Sequence, residues 1–215
     1  MIEMSKGLLI AFEGGEACGK TTQASLLAKR LDAVLTREPG GSEIGEHIRR
    51  LLLDPASSAL VPRAEALLMA ADRAQHFEEV ILPALRSGTH VVTDRFIGSS
   101  LAYQGFGRGL DLEQVRELSR FACGGFDADL VVLLDVPADQ AMKRLGHPTD
   151  RLEAAGESFH LRVLEGFKEL GETEGDSWIV VDGTGSPDEV EAHIWSALEP
   201  RITQYLSVSS GGDQS

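Results

Sequence analysis

Short apolar runs alternate along this chain with longer stretches whose apolar positions recur every three or four residues. Runs at residues 8–12, 33–36, 90–94, 130–135 and 178–182 predict five strands. Residues 24–31, 43–53, 63–85, 112–122, 137–145, 153–170 and 187 to about 198 predict the helices between and after them. Strands that alternate with helices in this way predict an α/β fold: a five-stranded parallel sheet with helices on both faces. The run 130–135, Leu-Val-Val-Leu-Leu-Asp, is the most apolar and reads as a central strand buried on both faces. Punctuation fits these elements. Ser42 caps a helix whose stripe is Ile44, Ile48, Leu51 and Leu52, and Asp54-Pro55 stops it. Pro83 marks a kink near the end of 63–85. Residues 96–109 carry Ser99, Ser100, Tyr103, Gln104 and the glycines at 105, 107 and 109, and read as a ligand-facing loop and short helix rather than core. One domain is expected over residues 1–205, with a polar, disordered tail from about residue 206.

Chemistry first enters at the end of the first strand. Gly14-Gly15-Glu16-Ala17-Cys18-Gly19-Lys20-Thr21-Thr22 has the spacing of Gly, four residues, then Gly-Lys-Thr, between a strand and a helix. In such a P-loop the glycines let successive N–H groups turn inward onto phosphate oxygens, and the following helix adds the positive end of its dipole. Lys20 brings a full charge to the β/γ-phosphates and Thr21 a hydroxyl to Mg²⁺. Cys18 reads as a small filler inside the loop. Asp94 ends a later apolar strand, in the Walker B position that helps to hold Mg²⁺, and Arg95 follows it at once. Asp135 also ends a strand and competes for that role; Asp94 is preferred for the arginine beside it.

Composition narrows the partners. The chain has 215 residues and a formal net charge of −14, which argues against a nucleic-acid partner. An acidic protein that binds polyanions must gather its cations locally. Arg37, Arg49, Arg73 and Arg95 are candidates for a second anionic site, with Arg73 sharing a helix face with Met69. Two cysteines, too few for a disulfide framework, fit a reducing cytoplasm. No apolar run approaches the roughly 20 residues of a membrane span, and the first six residues lack a signal-peptide pattern. Residues 146–151, flanked by Arg144 and Arg151, break the helical pattern and read as a flap, giving a lid at about 144–153. Two classes then compete. A nucleotide switch of the GTPase kind needs an Asn-Lys-x-Asp motif, and the chain contains no asparagine. A small-molecule kinase needs a second anion site and a flap, and these arginines and the segment from Arg144 to Arg151 could supply them.

Several further segments resemble the bacterial thymidylate kinase family. They are Phe12-Glu13-Gly14, residues 36–41 (Thr-Arg-Glu-Pro-Gly-Gly), 70–76 (Ala-Ala-Asp-Arg-Ala-Gln-His), Asp94-Arg95-Phe96, 99–105 (Ser-Ser-Leu-Ala-Tyr-Gln-Gly) and 150–153 (Asp-Arg-Leu-Glu). The resemblance implies the P-loop kinase fold, ATP as phosphate donor with Mg²⁺, dTMP as acceptor and a cytoplasmic homodimer. It also implies site roles. Arg95, with Arg37 and Arg49, would clamp the dTMP phosphate. Arg73, Ser100 and Gln104 would contact thymine, and Met69 stands where the family usually carries an aromatic residue against it. Tyr103 would favour deoxyribose, and Glu16 would approach the sugar 3′-hydroxyl. Arg151 and Arg144 would come down on ATP, with adenine near Arg144 and the turn at 183–187. Gly98 replaces a more usual acidic residue. Another nucleoside monophosphate kinase, for UMP or dUMP, is the alternative within the same class.

Overall fold

The computed structural model describes residues 7–145, 147 and 149–211; the predictions for residues 146, 148 and 212–215 fall outside them. Five parallel strands, β1 (Leu9–Glu13), β2 (Val34–Arg37), β3 (Val91–Asp94), β4 (Leu130–Asp135) and β5 (Trp178–Asp182), form one sheet in the order β2-β3-β1-β4-β5. The helices are α1 (Lys20–Leu31), α2 (Glu43–Leu53), α3 (Pro62–His76), α4 (Leu82–Arg86), α5 (Ile97–Ser100), α6 (Leu112–Ala122), α7 (Ala138–Leu145), α8 (Glu157–Thr173) and α9 (Pro187–Gly211). Among the described residues no helix is long and apolar enough to cross a membrane.

Alternate side chains of the strands feed two cores. Leu9 and Ala11 of β1, with Val131 and Leu133 of β4, pack with Phe77, Tyr103, Val115, Phe159 and Phe167 on one face. Ile10, Phe12, Val132 and Leu134 pack with Leu27 of α1 and with Val190, Ile194 and Leu198 of α9 on the other. This two-sided burial is why the central strands read as unbroken apolar runs.

Two helical predictions need correction and a third gains detail. The 63–85 stretch is helical throughout, and the interruption expected near Pro83 is a π-helical turn, Phe77–Ile81, between α3 and α4. Pro83 cannot donate to the ladder and its ring crowds the carbonyl four residues back; the wider turn, with the Leu82 N–H on the Phe77 carbonyl, accommodates this. The 96–109 stretch is mostly core, not an open loop: α5 runs on into a π-helical Leu101–Gly107, with Leu101, Ala102, Tyr103 and Gln104 buried. Its glycines permit close packing, because a Cβ on Gly107 would stand 2.6 Å from Phe159 and 2.8 Å from Val163 of α8. Finally, α9 does not stop near residue 198 but continues to Gly211, carrying Ile202 into the core, so the expected tail is helical over its first part. In α2, capped by Ser42 Oγ accepting from the Gly45 N–H, only Leu52 of the predicted stripe is buried, while Ile44 and Leu51 are exposed.

Gly107→Ala should lower stability by roughly 1–3 kcal/mol through overpacking against α8. A thermal melt that matches the unsubstituted protein would count against this close approach.

Candidate active site

The loop after β1 closes on itself through its own lysine. Lys20, the first residue of α1 and buried, donates from Nζ to the Gly15 carbonyl at 2.5 Å and lies 3.4 Å from Cys18 Sγ. Gly14 and Gly19 have φ of 137° and 98°, which a side chain at either position would strain. At Gly14 a Cβ would also meet the Leu134 carbonyl at 2.7 Å, so the chain there passes β4 too closely for any other residue. The backbone amides of this loop and the amino end of α1 make a ready anion site.

β3 ends beside it. Thr21 Oγ1 donates to Asp94 Oδ2, while Asp94 Oδ1 is buried without a hydrogen-bond partner among the described residues. A hydroxyl and a carboxylate with a spare buried oxygen, next to a phosphate loop, suit a hard cation such as Mg²⁺. No group of three or more His, Cys, Asp or Glu side chains converges as a metal site among the described residues, so further ligands would come from phosphate and water. Asp135, the competitor for this role, is exposed at the end of β4.

Arg95 adopts φ 74°, a left-handed conformation uncommon for a side chain of its size. Several bonds hold it there. The Arg95 N–H donates to the Phe12 carbonyl at 2.9 Å, and Thr93 Oγ1 donates to the Arg95 carbonyl at 2.8 Å. The guanidinium donates to the Gly14 carbonyl at 3.0 Å, Ser99 Oγ at 3.1 Å and Glu16 Oε1 at 2.8 Å, and lies over the Tyr103 ring. Tyr103 OH donates to the same Glu16 oxygen at 2.6 Å. Burial pushes the Glu16 carboxyl up, but Arg95, Lys20 and the Tyr103 hydroxyl outweigh it and hold it at about 2. Beneath, the fully buried Glu13 accepts from the N–H groups of Phe96 and Ser99, both at 2.9 Å, and from Ser99 Oγ at 2.6 Å. Burial raises the Glu13 carboxyl. A Cβ on Gly98 would stand 2.8 Å from Trp178 and 2.9 Å from Glu13, which is why that position carries no side chain.

From Arg95 a cleft opens that holds about 550 Å³ of space, counting the part open to solvent. It brings together Glu16, Arg49, Met69, Arg73, Arg95, Ser100, Tyr103 and Gln104, eight residues singled out in the sequence. Arg73 is only 2% exposed rather than a solvated helix arginine. It donates to Glu38 Oε2 at 2.8 Å, Ser119 Oγ at 2.9 Å, and both the Phe96 carbonyl and Ser100 Oγ at 3.0 Å. Arg49 donates to the Pro39 carbonyl at 2.7 Å. Burial, and then the neighbouring charges of Arg37 and Arg95, lower the Arg49 guanidinium below its usual range. Cations that repel one another across a cleft are relieved by an anion between them.

Three predicted residues stand elsewhere. Arg37 lies outside the cleft lining, half-exposed, paired with Glu46 at 2.8 Å. Arg144 donates to the carbonyls of Gly183 and Thr184 at 3.2 and 3.3 Å, beside the turn expected to take adenine. Arg151 does not engage the P-loop. It is buried against Glu65, with Nη1 2.7 Å from Oε2, and Nε donates to the Leu52 carbonyl at 2.7 Å. Its flanking residues Asp150 and Leu152 line the cleft in its place.

No site role was read from the sequence for Glu38, Glu65, Asp72 and His76, which are buried around these cations. Four residues of α3, at 65, 69, 72 and 76, follow helical spacing, and that face would have shown as inward had its polar members been read as core.

A family model described as thymidylate kinase matches residues 12–194. The chain is 49% identical over 204 residues to a thymidylate kinase of Synechococcus sp. (strain JA-3-3Ab), covering 91% of this chain and 97% of the relative. It is 45% identical over 206 residues to one from Deinococcus radiodurans, covering 92% and 99%. It is 43% identical over 213 residues to one from Pelotomaculum thermopropionicum, covering 95% and 99%.

The Arg73 cluster has a pH signature. Burial and the charge of Glu38 raise Asp72 to about 7; its Oδ1 accepts from the Gly40 N–H, and Oδ2 has no partner among the described residues. A carboxyl whose folded value lies above its unfolded value contributes fully below about pH 4, and that contribution is lost as pH rises toward the folded value. Asp72→Asn should therefore gain melting temperature over the unsubstituted protein as pH climbs from about 4 to about 7, with a constant difference above. A difference that stays flat across the whole range would remove the assignment.

Proposed function

The chain belongs to the thymidylate kinase family, and from that premise we propose how its two adjoining anion sites carry out the reaction. It is an ATP-dependent kinase that phosphorylates dTMP to dTDP. The observation that supports the site assignment is the position of Arg95. One guanidinium touches the Gly14 carbonyl and Glu16 of the P-loop and also lines the arginine cleft, so the two anion sites share a wall.

In this reading residues Gly14, Gly15, Glu16, Ala17, Cys18, Gly19, Lys20, Thr21 and Thr22 cradle the ATP phosphates, and Arg144 with the turn at 183–187 borders adenine. Arg95 and Arg49 take the dTMP phosphate, with Arg37 at the rim. Arg73, Ser100 and Gln104 meet the base, and Met69 packs against it through its thioether. Tyr103 fills the place of a ribose 2′-hydroxyl, and Glu16 lies within reach of the 3′-hydroxyl. Mg²⁺ carried with ATP would be held by Thr21 and, directly or through water, by Asp94, where it offsets charge on the phosphates. No protein nucleophile is needed: an acceptor phosphate oxygen attacks in line, and the residues supply positioning and charge stabilisation.

Arg151 serves as a transition-state cation when the lid at 144–153 closes. Two observations support its release. Its Nη2 is buried without a partner among the described residues. Glu65 also bonds Arg108 and Gln104, so release of Arg151 would leave it with partners. We also assign a homodimer. Large apolar side chains are exposed on α2, α3 and α6 (Ile44 and Leu51, Leu67, and Phe121 at 86%), and these helices pack side by side. The two free cysteines support a reducing, cytoplasmic setting.

ADP release measured with dTMP, dUMP, UMP, CMP and AMP should be fastest with dTMP, and ATP consumption independent of dTMP would end the reading. Arg95→Ala should raise KM for dTMP. Arg151→Ala should lower kcat on the order of 10²-fold or more while leaving KM nearly unchanged. A pure KM effect at Arg151 would make it a wall of the cleft and not a cation for the reaction. Phe121→Glu should convert the dimer to monomer in sedimentation; a monomeric parent protein contradicts the assignment.

A further inference from the structure

Glu65 is 0% exposed, lies in the first turn of α3 and was assigned no part in the reaction above. Its oxygens are heavily used. Oε1 accepts from Gln104 Nε2 at 3.0 Å and Arg108 Nε at 3.1 Å. Oε2 accepts from Arg108 Nη2 at 3.0 Å and pairs with Arg151. Burial raises the Glu65 carboxyl, but the hydrogen bonds of Arg108 and Gln104 outweigh it and hold it below the usual range. The group facing Gln104 is therefore an anion, and an anionic carboxylate only accepts hydrogen bonds.

That settles a choice the Gln104 side chain cannot make alone. The two ends of a primary amide have almost the same shape and opposite hydrogen-bonding character. With Glu65 ionised, the –NH₂ end must turn toward it, and the carbonyl oxygen becomes the other end of a side chain that lines the acceptor cleft. An oxygen there accepts from a ring N–H. Thymine offers such a donor at N3, where cytosine offers an acceptor.

We propose that Glu65 is a positioning residue for base selection: it acts through Gln104, fixing the amide so that an acceptor is presented to an imide N–H and pyrimidines without that hydrogen are rejected. The inference rests on the reading of Gln104 as a base contact. A buried carboxylate bonded to two arginines also has structural weight, so the test must separate orientation from packing.

The experiment is a double-mutant cycle with the intact protein, using dTMP and dCMP as acceptors and kcat and KM as readouts. Glu65→Gln can donate as well as accept, so the Gln104 amide loses its fixed direction. It should lower the dTMP-to-dCMP ratio of kcat/KM about tenfold, the scale of one hydrogen bond, mainly by raising KM for dTMP. In a Gln104→Ala background the same substitution should move the ratio less than about twofold. Glu65→Asp, which still only accepts, should restore a ratio nearer to that of the unsubstituted protein. Equal losses with both nucleotides, or effects at Glu65 and Gln104 that simply multiply, overturn the proposal. Should Glu65→Gln not fold, Glu65→Gln with Arg151→Gln removes one charge of each sign and carries the same test, because the ratio cancels any common loss of kcat. If the unsubstituted protein does not phosphorylate dTMP, the functional reading fails and this inference with it. If it prefers dTMP and Glu65→Gln leaves that preference intact, the inference alone fails.

Discussion

β1 and β3 lie side by side and run in the same direction, in a register that pairs Phe12 with Asp94. The pairing continues one residue past the strands, where the Arg95 N–H donates to the Phe12 carbonyl. Neighbouring strands are only about 4.8 Å apart, so residues that leave two adjacent carboxyl ends come within side-chain reach of each other. That closeness gives Thr21 its bond to Asp94 and Arg95 its bonds to Gly14 and Glu16. A slip of one residue in this register would turn Asp94 and Thr93 to opposite faces and dismantle both contacts at once.

A chain with 34 acidic and 20 basic residues must then keep cations where anions bind. It does so by pairing four inward-facing arginines with carboxylates of other elements: Arg95 with Glu16, Arg73 with Glu38, and Arg108 and Arg151 with Glu65. Such pairs add little net stability after desolvation. Their consequence is geometric: a guanidinium held at two or more points is already oriented, which lowers the ordering cost of any contact it makes. The same logic explains Glu13. Its carboxyl fixes the Phe96–Ser99 turn, and Ser99 accepts from Arg95.

The glycines mark where the site allows no substitution of shape. Gly14 clears the Leu134 carbonyl, and Gly98 clears Trp178 and Glu13. In the second case the indole of β5 and the buried Glu13 carboxyl leave no room for a Cβ. Met69 lines the cleft as an unbranched side chain able to adjust to its neighbours.

The sequence by itself determined the strands, their alternation with helices and the phosphate loop. Each of these is a local property: periodicity, glycine spacing, or an acidic residue closing an apolar run. Sheet order, and with it the contact of Thr21 with Asp94, needed the tertiary structure, because the two residues are 73 positions apart and only strand adjacency joins them. So did the burial of the Leu101–Gly107 segment, whose polar and glycine-rich composition reads as loop until α8 is packed against it. Arg151 shows the division most plainly. Its charge and its place in a flap are written in the chain, but its docking on Glu65, a residue of α3, is not, since an ion pair depends on which surfaces meet and not on the spacing of either partner along the backbone.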